Sequence, residues 1–444
     1  MSTKSVADFI AETSFDRLPA NVVTQVKVAI RDNLGVSLAA QKDRAVEAAR
    51  KVAIAIGGKP ESTIIGTKVK VPCNIGAMVN AVMGSTLDMD DGAMGATGHK
   101  GHVGATVVPS SLSVAQRQTA TGRDLIEAVL VGYEVALRTG WMLNIAGKPP
   151  LAGTVTTYGA AAAAAKLLRL SPGQIADAIG IAEAHCPYPP FETIFWAKGM
   201  TKEAMGWAAM TGVTAALLAQ NGFSGPDTIY DSPNYAKTPL ETLGKEWEIL
   251  GLYFKPYCAC RVCHAAIDGV LALANEYNLN ADDILKITVG VPSTRVDMLA
   301  KYRPATTWQA QYSTVFLVAA ALLDGEVGPE QIAEDRLSDK AILDLADKVT
   351  LVADPEVDAL RPRSLASRVK IETKDGKKLE TFVSTPKGEP QNPLSEEELR
   401  TKFKRLAAMA MGSDEVEDLD KCLVSLEDLS SIEELLERLS HCGL

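Results

Sequence analysis

The sequence predicts a mainly α protein, in which a large all-helical domain is built from both ends of the chain and a smaller α+β domain is inserted. Three observations predict this class. Apolar residues recur at three-to-four spacing up to about residue 265, strand-like alternation begins near residue 280, and helical spacing returns after a Pro/Gly-rich connector. The predicted boundaries are 1–265 with 394–444 for the helical domain and 266–393 for the α+β domain.

Helical periodicity is clearest in five segments of the first domain. Each repeats apolar residues at helical spacing, and the fourth is rich in alanine, which has high helix propensity and allows close packing. Ser171 and Pro172 suit the N-cap and first position of a further helix, and Gly222 ends the fifth segment. The five segments are 22–39, 75–87, 125–137, 159–170 and 203–221.

Alternating residues predict strands in the inserted domain, at 284–292 and 348–353 and in a hairpin. The hairpin joins 368–373 to 378–383, because Asp375-Gly376 is a favoured turn pair. A helix is predicted over 312–323. After the connector at 387–393, Ser395 and Glu398 form a capping box, and helical spacing then continues to Leu439.

Composition argues against several classes of function. The net charge is −10 and the pI is about 5.2, which disfavours binding to nucleic acid. No stretch reaches the roughly 18 apolar residues of a membrane helix, and the first residues lack a secretory signal. Seven cysteines, an odd number in a long chain without an export signal, fit a reducing cytosol better than a disulfide framework. We therefore expect a cytoplasmic protein without membrane contact. Nucleotide-binding, nucleophile-elbow and HExxH motifs are absent from the sequence.

The segment 86–109 concentrates groups that exchange protons. It holds two of the five histidines of the chain, three carboxylates and five glycines. Its titratable residues are Asp88, Asp90, Asp91, His99 and His102. Carboxylates and imidazoles transfer protons near neutral pH, and the glycines predict a loop that approaches a ligand closely. Acid/base catalysis, a metal site with oxygen and nitrogen ligands, and capping carboxylates beside surface histidines all stay open.

A second cluster consists of Cys258, Cys260, Cys263 and His264. These residue types occur in zinc sites, but the ligands of such sites usually come as two separated pairs, and buried thiols are the alternative. His264 opens a helical run. The amino end of a helix disfavours an imidazolium, so a neutral acceptor in a site and a satisfied core histidine are both open.

Four cations flank these segments and have two interpretations each. Lys198 and Lys202 precede a predicted helix, while Lys255 and Arg261 bracket the cysteines. Each suits either a substrate carboxylate or ordinary solvent exposure. Of the remaining histidines, His185 is expected to be structural and His441, near the end of the sequence, is expected to have no specific role.

Four stretches, in this order and spacing, resemble the MmgE/PrpD family. They are 87–92 with 102–109, 159–168, 202–226 and 255–268, and 386–394 is a weaker fifth match. The resemblance covers nearly the whole chain. It implies a lid-like α+β domain, a homodimer, a pocket between the domains, and chemistry that needs no metal and no organic cofactor.

The resemblance also implies a set of pocket residues. Asp88, His102, Lys202 and His264 would line the pocket, and Tyr312 would reach in from the lid. Many family members carry a histidine before the alanine-rich helix, whereas Pro150 stands at about that place in this chain. His99 lies in what resembles a two-residue insertion and is a candidate replacement.

We therefore expect a cofactor-independent lyase that acts on a small di- or tricarboxylate. It would dehydrate a 2-methylcitrate-like hydroxy acid or decarboxylate an aconitate-like acid. An isomerase or epimerase of an iminodisuccinate-like acid and a degenerate, acid-binding protein are the alternatives. Deuterium uptake without loss of water or CO2 would favour the isomerase.

Each candidate residue has an expected role. His102 is the principal acid/base, oriented by Asp88, and His264 is the second proton donor. Lys202 binds a carboxylate of the substrate, and Tyr312 supports it. The residues expected to contribute to substrate binding are His99, Asp91, Lys198, Lys255 and Arg261.

Overall fold

The computed structural model describes residues 2–148, 151–188, 199–300 and 303–440, and these form a mainly α fold, as the sequence predicts. The helices before residue 250 are α1 (Thr3–Glu12), α2 (Ala20–Ala39), α3 (Arg44–Ile56), α4 (Cys73–Thr86), α5 (Gly104–Arg117), α6 (Gly122–Ile145), α7 (Ala152–Leu167), α8 (Pro172–His185), α9 (Met205–Gln220) and α10 (Thr238–Glu241). The later helices are α11 (His264–Tyr277), α12 (Val296–Leu299), α13 (Thr307–Ala310), α14 (Thr314–Asp324), α15 (Lys340–Ala346), α16 (Pro355–Leu360), α17 (Glu396–Ala407), α18 (Ser413–Val424) and α19 (Glu433–Ser440).

Three small sheets accompany the helices. One pairs β1 (Ser62–Thr63) with β2 (Lys70–Val71), and the second has the order β4 (Gly98–Gly101), β3 (Gly92–Gly95), β5 (Leu252–Tyr253). The third has the order β7 (Val349–Ala353), β6 (Ile284–Val291), β8 (Ser367–Thr373), β9 (Lys378–Val383). In it β6 runs parallel to β7 and antiparallel to β8, and β8 and β9 form the predicted hairpin.

Small residues at the centre of the helical part let its helices approach closely. Helices α4 to α7 and α9 pack on one another there, and the alanines of α7 are fully buried. A Cβ at Gly159 would lie 2.6 Å from the carbonyl oxygen of Gly132 on α6. Larger side chains would force α6 and α7 apart, so the alanine-rich sequence is what the close contact requires.

Predicted caps begin two of these helices. The Ser171 hydroxyl accepts a hydrogen bond from the backbone N–H of Gln174, and the Ser395 hydroxyl accepts one from Glu398. Both side chains at the third helical position bond back to their caps, which satisfies backbone donors that helices leave unpaired.

The two ends of the chain meet in the helical part. Helix α17 packs along α2, and α11 packs against β8, β9 and α14. The connector before α17 therefore returns the chain to the helices that began it. The packing of α17 on α2 is compatible with an inserted domain. The boundaries at 265 and 393 stay a prediction.

The glycine-rich segment differs from the predicted loop, because it forms the hairpin β3–β4 and β3 also pairs with β5. Gly98 and Gly101 have φ of +123° and +149°, which other residues rarely adopt. The glycines therefore support a tight hairpin, which sequence periodicity cannot reveal in a run with so few side chains.

Two further features concern helices. Tyr312 precedes the helix predicted from it, because Ser313 caps α14 by accepting a hydrogen bond from the N–H of Phe316. In the part of the chain that the structure describes, every helix is too short or too polar to cross a membrane.

Candidate active site

The carboxyl end of α4 brings three buried carboxylates to the centre of the molecule. Helix α4 ends at Thr86, and Asp88 then adopts φ +52°, a left-handed conformation that is uncommon for residues other than glycine. Asp88, Asp90 and Asp91 are all buried. Strained backbone of this kind persists where the surroundings hold it, and two lysines hold Asp88.

These lysines come from distant parts of the sequence. Lys255 Nζ lies 2.5 Å from Asp88 Oδ1, and Lys202 Nζ lies 3.0 Å from Asp88 Oδ2. Burial opposes ionisation of Asp88, but the two ammonium groups outweigh it and hold the pKa of Asp88 far below its usual range. Lys255 is completely buried, and despite this Asp88 and Asp90 raise its pKa, so both partners stay charged.

His102 contacts Asp90. Its Nδ1 lies 2.9 Å from the carbonyl oxygen of Asp91 and 3.2 Å from Asp90 Oδ2, so Nδ1 carries a hydrogen and Nε2 is the nitrogen available for proton exchange. Burial and the charge of Lys255 lower the pKa of His102, but Asp90 and Glu203 outweigh them and raise it above its ordinary value. The expectation that Asp88 orients His102 is therefore wrong, because both oxygens of Asp88 face lysines.

His99 stands beside His102. Their ring centroids are 4.5 Å apart, and His99 Nε2 lies 3.2 Å from the hydroxyl oxygen of Tyr253. Burial and the charge of His102 hold the pKa of His99 well below its ordinary value. The two adjacent rings thus have pKa values that are shifted in opposite directions.

Gln311 and Tyr312 bring the segment between α13 and α14 to Lys202. Gln311 Oε1 accepts a hydrogen bond of 2.5 Å from Lys202 Nζ, while its amide donates to the carbonyl of Thr86. The ammonium of Lys202 also lies 5.2 Å from the centre of the Tyr312 ring. Lys202 therefore contacts both Asp88, which follows α4, and the segment between α13 and α14.

These groups surround a small pocket, whose lining residues are Ser85, Asp88, Asp90, His102, Lys202, Glu203, Met205 and Tyr312. The free volume at its centre is about 10 Å³, close to the space that a single water molecule needs. Two of the lining residues, Lys202 and Asp88, form an ion pair with each other. A polycarboxylate would have to displace this contact and widen the pocket.

Asp91 faces away from this pocket, contrary to its expected role in substrate binding. Its oxygens accept hydrogen bonds from the Tyr133 hydroxyl, at 2.5 Å, and from the N–H of Gly104, at 2.9 Å. Asp91 therefore anchors the beginning of α5 to α6. Nothing in this geometry lets its carboxylate contact a ligand in the pocket.

His264 and Arg261 also lie outside the pocket lining. His264 is completely buried, its Nδ1 accepts a hydrogen bond of 2.9 Å from Arg261, and its Nε2 donates one of 3.0 Å to the carbonyl of Ala259. Burial and Arg261 hold the pKa of His264 well below its ordinary value. With both nitrogens engaged, His264 is a neutral structural residue here rather than the expected second proton donor.

Arg261 itself joins the two passages of the chain between the helical and α+β parts. Its guanidinium donates to Glu389 at 3.0 Å and to the carbonyl of Lys387 at 2.9 Å. It also lies within 3.5 Å of the Pro386 carbonyl oxygen and 4.7 Å from the centre of the Tyr253 ring, so the expected contact with substrate has no support from its position. Lys198 and Pro150 lie outside the described residues.

The cysteine cluster forms separate contacts. Cys258 donates to the carbonyl of Leu87, and Cys263 accepts from the Thr314 hydroxyl. Burial raises the pKa of Cys260 to about 12, which keeps its thiol protonated. Among the described residues, His, Cys, Asp and Glu side chains form no group of three that could hold a metal ion.

Two consecutive protein-family domains match the chain. The MmgE/PrpD N-terminal domain matches residues 4–237, and the MmgE/PrpD C-terminal domain matches residues 257–428. The chain belongs to the MmgE/PrpD family. The resemblance predicted from short motifs is thus confirmed over most of the chain.

Relatives that the chain resembles along nearly its whole length are named cis-aconitate decarboxylase or cis-aconitate decarboxylase-like protein. The cis-aconitate decarboxylase-like protein oryM of Aspergillus oryzae is 27% identical, covering 99% of this chain and 97% of the relative. Cis-aconitate decarboxylase of Aspergillus terreus is 25% identical, with 99% and 96% covered, and that of Mus musculus is 28% identical, with 96% and 91% covered. The chain is therefore an enzyme of the lyase type, as the sequence predicts.

The sequence gives no direct signal for a role of Gln311 or Glu203 in the site. It leads us to expect that Asp88 contacts His102, whereas Asp90 makes this contact. Asp90 belongs to the acidic motif, but the sequence does not show which carboxylate of the motif points towards His102. Gln311 stood one residue before Tyr312, and Glu203 one after Lys202. Adjacency to a predicted pocket residue was the one signal that could have indicated either.

Proposed function

We propose that this MmgE/PrpD enzyme is a cofactor-independent carboxy-lyase that decarboxylates an unsaturated tricarboxylate of the cis-aconitate type. The observation that carries the proposal is His102, whose pKa is raised beside Asp90 and which lines a pocket together with Lys202. The activity of the relatives supports the same reaction class.

Lysine charges would hold the substrate. Asp88 accepts hydrogen bonds from both Lys202 and Lys255, at 3.0 and 2.5 Å. A carboxylate of the substrate has the same chemistry as Asp88 and would take its place on Lys202. Lys255, which is fully buried and also faces Asp90, would stay paired with the carboxylates of the protein. Exchange of one carboxylate for another leaves the charge balance of Lys202 satisfied.

The reaction then needs a proton donor. The bond between the methylene carbon and its carboxylate breaks, CO2 leaves, and the electron pair of that bond forms a new double bond between the methylene carbon and the adjacent carbon. The double bond shifts, and negative charge develops on the carbon beside another carboxylate. His102 donates the proton from Nε2 to that carbon and is reprotonated by water. The product is a dicarboxylate with a terminal methylene group.

The raised pKa of His102 favours decarboxylation over the other reactions considered, because it increases the share of His102 that carries an acidic proton at a given pH. Dehydration and epimerisation begin with removal of a proton from carbon, which needs a neutral base. Decarboxylation of an aconitate-like acid needs no base, and the developing carbanion needs an acid close by. Asp90 raises the pKa of His102 in the direction that this step requires.

Product analysis in heavy water tests the proposal. We expect cis-aconitate to yield CO2 and a methylene dicarboxylate that carries one deuterium on its saturated methylene carbon, observed by proton NMR. Citrate-like, 2-methylcitrate-like and aminosuccinate-like acids are screened in parallel. Water loss from a hydroxy acid would replace decarboxylation by dehydration, and deuterium uptake without CO2 would indicate an isomerase. Binding without any turnover would indicate a degenerate member.

Independence from metals and organic cofactors is part of the proposal and has its own measurement. Enzyme dialysed against EDTA should keep its turnover, and elemental analysis should find no stoichiometric metal. Loss of activity that returns on adding a divalent cation would contradict it. We also propose the homodimer expected from the family resemblance, which light scattering of the purified enzyme measures.

A further inference from the structure

Glu203 brings a carboxylate to the pocket that the proposed reaction does not yet use. It lines the pocket next to Lys202, and its Oε2 accepts a hydrogen bond of 2.9 Å from the backbone N–H of Ala152, the first residue of α7. A carboxylate is favoured at the amino end of a helix, so this bond is both a cap and an electrostatic contact.

The backbone around Glu203 is strained on both sides. Lys202 has φ +46° and Ala204 has φ +62°, the left-handed region that residues other than glycine seldom adopt. Such conformations persist where contacts enforce them. The bond from Glu203 to Ala152 is one such contact, and it fixes the short segment that carries Lys202.

A close approach of backbones reinforces this contact. A Cβ added at Gly153 would lie 2.2 Å from the carbonyl oxygen of Glu203, so only glycine allows the Lys202 segment to lie so near α7. Glu203 therefore links the pocket to the first turn of α7.

We propose that Glu203 is a positioning residue for the proposed decarboxylation, which anchors the Lys202 segment to α7 and sets a negative charge near His102. It would act in two separable ways. The hydrogen bond to Ala152 keeps Lys202 directed into the pocket. The charge of its carboxylate, together with that of Asp90, favours the imidazolium form of His102.

Several charged or titratable groups face His102, and the charge of Glu203 acts among them. Those that favour the imidazolium are Asp90, Asp88 and Glu203, those that oppose it are Lys255 and the burial of the ring, and His99 and Tyr253 pack against the ring. Lys202 and Tyr312 line the same pocket. Removing one negative charge from this set should lower the pKa of His102.

Two variants separate the charge from the hydrogen bond. Glu203→Gln keeps an oxygen that can accept from Ala152 and removes the charge, whereas Glu203→Ala removes both. Glu183→Gln is the matched control, because the Glu183 carboxylate also accepts from a backbone N–H, that of Ile229 at 3.1 Å, but lies outside the pocket. The titration of His102 is followed by NMR of the imidazole resonances, assigned by comparison with His102→Asn.

For Glu203→Gln we expect the His102 titration to move by about half a pH unit or more towards lower pH. The alkaline limb of kcat should move with it, and KM should stay close to that of the native enzyme. For Glu203→Ala we expect the same shift with KM raised about tenfold, since Lys202 loses its anchor. Glu183→Gln should leave the titration and the kinetics unchanged.

A His102 titration that is the same in Glu203→Gln as in the native enzyme would overturn the proposal. The NMR titration needs no substrate, so it remains decisive even if cis-aconitate is not turned over. Failure of the proposed function would appear instead as absent turnover with an intact shift of the titration. If Glu203→Ala does not fold, Glu203→Gln alone still decides the charge effect.

Discussion

Neighbouring charges decide what each titratable side chain of the site can do. Asp88 and Asp90 are two residues apart, yet one faces two lysines while the other faces His102. His99 and His102 have adjacent rings, but the pKa of the first is lowered and that of the second is raised. Residue type therefore defines the available chemistry, and the partners select which residue performs it.

His102 is the side chain whose replacement tests catalysis most directly. We expect His102→Asn to lower kcat by roughly 100- to 10,000-fold, the usual contribution of general acid/base catalysis. Binding of an unreactive tricarboxylate should change little, because Lys202 provides the charge. Kinetics and calorimetric titration measure the two effects. His185→Gln is the control, since His185 Nδ1 bonds the Ile181 carbonyl at the end of α8; equal losses in both variants would contradict the assignment.

The expected pH dependence of turnover follows from the direction of the His102 shift. Because the pKa of His102 is raised, the imidazolium required for proton donation persists to higher pH than for an exposed histidine. The rate should therefore fall on the alkaline side, as pH rises through that pKa. A kcat profile that instead rises with pH across this range would identify His102 as a base and would favour dehydration or epimerisation.

Asp91 provides a stability test away from the chemistry. Burial raises the pKa of Asp91 to about 7 from the ordinary 3.8, although bonds from Tyr133 and Gly104 oppose the shift. The folded state then binds more protons than the unfolded state between these values. Asp91 should therefore lower the free energy of unfolding as pH rises from about 4 to about 7, by up to roughly 1.4 kcal/mol per unit.

Asp91→Asn keeps an acceptor for Tyr133 and does not ionise. Relative to the native enzyme, its free energy of unfolding should improve steadily as pH rises across that window. Urea denaturation at several pH values measures this difference, and Glu134, whose pKa is also raised to about 7, contributes equally to both proteins. Parallel stability curves would mean that Asp91 titrates at an ordinary value in the folded state.

At the scale of elements, the site depends on where helices begin and end. The end of α4 delivers Asp88, the start of α5 follows His102, and the first turn of α7 receives Glu203. Periodicity predicts α4 and most of α7, whose buried faces are regular. It misses the start of α7, which is expected at 159 and lies at Ala152, and it misses α5, whose first residues fall in the segment interpreted as a loop. It does not predict the hairpin β3–β4, whose glycines present few side chains, nor the left-handed turns that redirect the chain.

Gly153 tests the contact between α7 and the Lys202 segment. We expect Gly153→Ala to raise KM several-fold, because the new Cβ would lie 2.2 Å from the carbonyl oxygen of Glu203 and displace Lys202. Gly173→Ala is the matched control: Gly173 also occupies the second position of a helix, α8, and a Cβ there would have no neighbour within 4 Å. Steady-state kinetics with thermal unfolding compares them, and equal KM values would exclude the proposed contact.

At the scale of the whole molecule, the two passages between the helical and α+β parts lie side by side. The N–H of Phe254 bonds the carbonyl of Gly388 at 3.1 Å, and Arg261 bonds Glu389. Lys255 belongs to one passage and reaches directly into the site. A movement of one part relative to the other would therefore change the pocket itself, which at about 10 Å³ has to widen for a substrate.

Hydrogen exchange measures that movement. We expect tricarballylate, a saturated and unreactive tricarboxylate, to slow amide exchange in residues 254–263 and 386–394 and in the Lys202 segment. The reason is that a bound anion would bridge Lys202 to the rest of the site and reduce opening. Exchange in the hairpin β8–β9, which contributes no residue to the pocket lining, serves as the control. Protection spread equally over the whole chain would indicate general stabilisation without a hinge.

The sequence by itself determined most of the central helices, the sheet hairpin, the family and the lyase type of the enzyme, because periodicity, caps and motif order are local or additive properties of the chain. Only the tertiary structure decided which groups meet. It paired Asp88 with Lys202 and Lys255, gave His102 to Asp90, and turned Asp91, Arg261 and His264 towards structural partners. The physical reason is that pKa values and contacts depend on distance and burial, and residues more than a hundred positions apart acquire these only when the chain is folded.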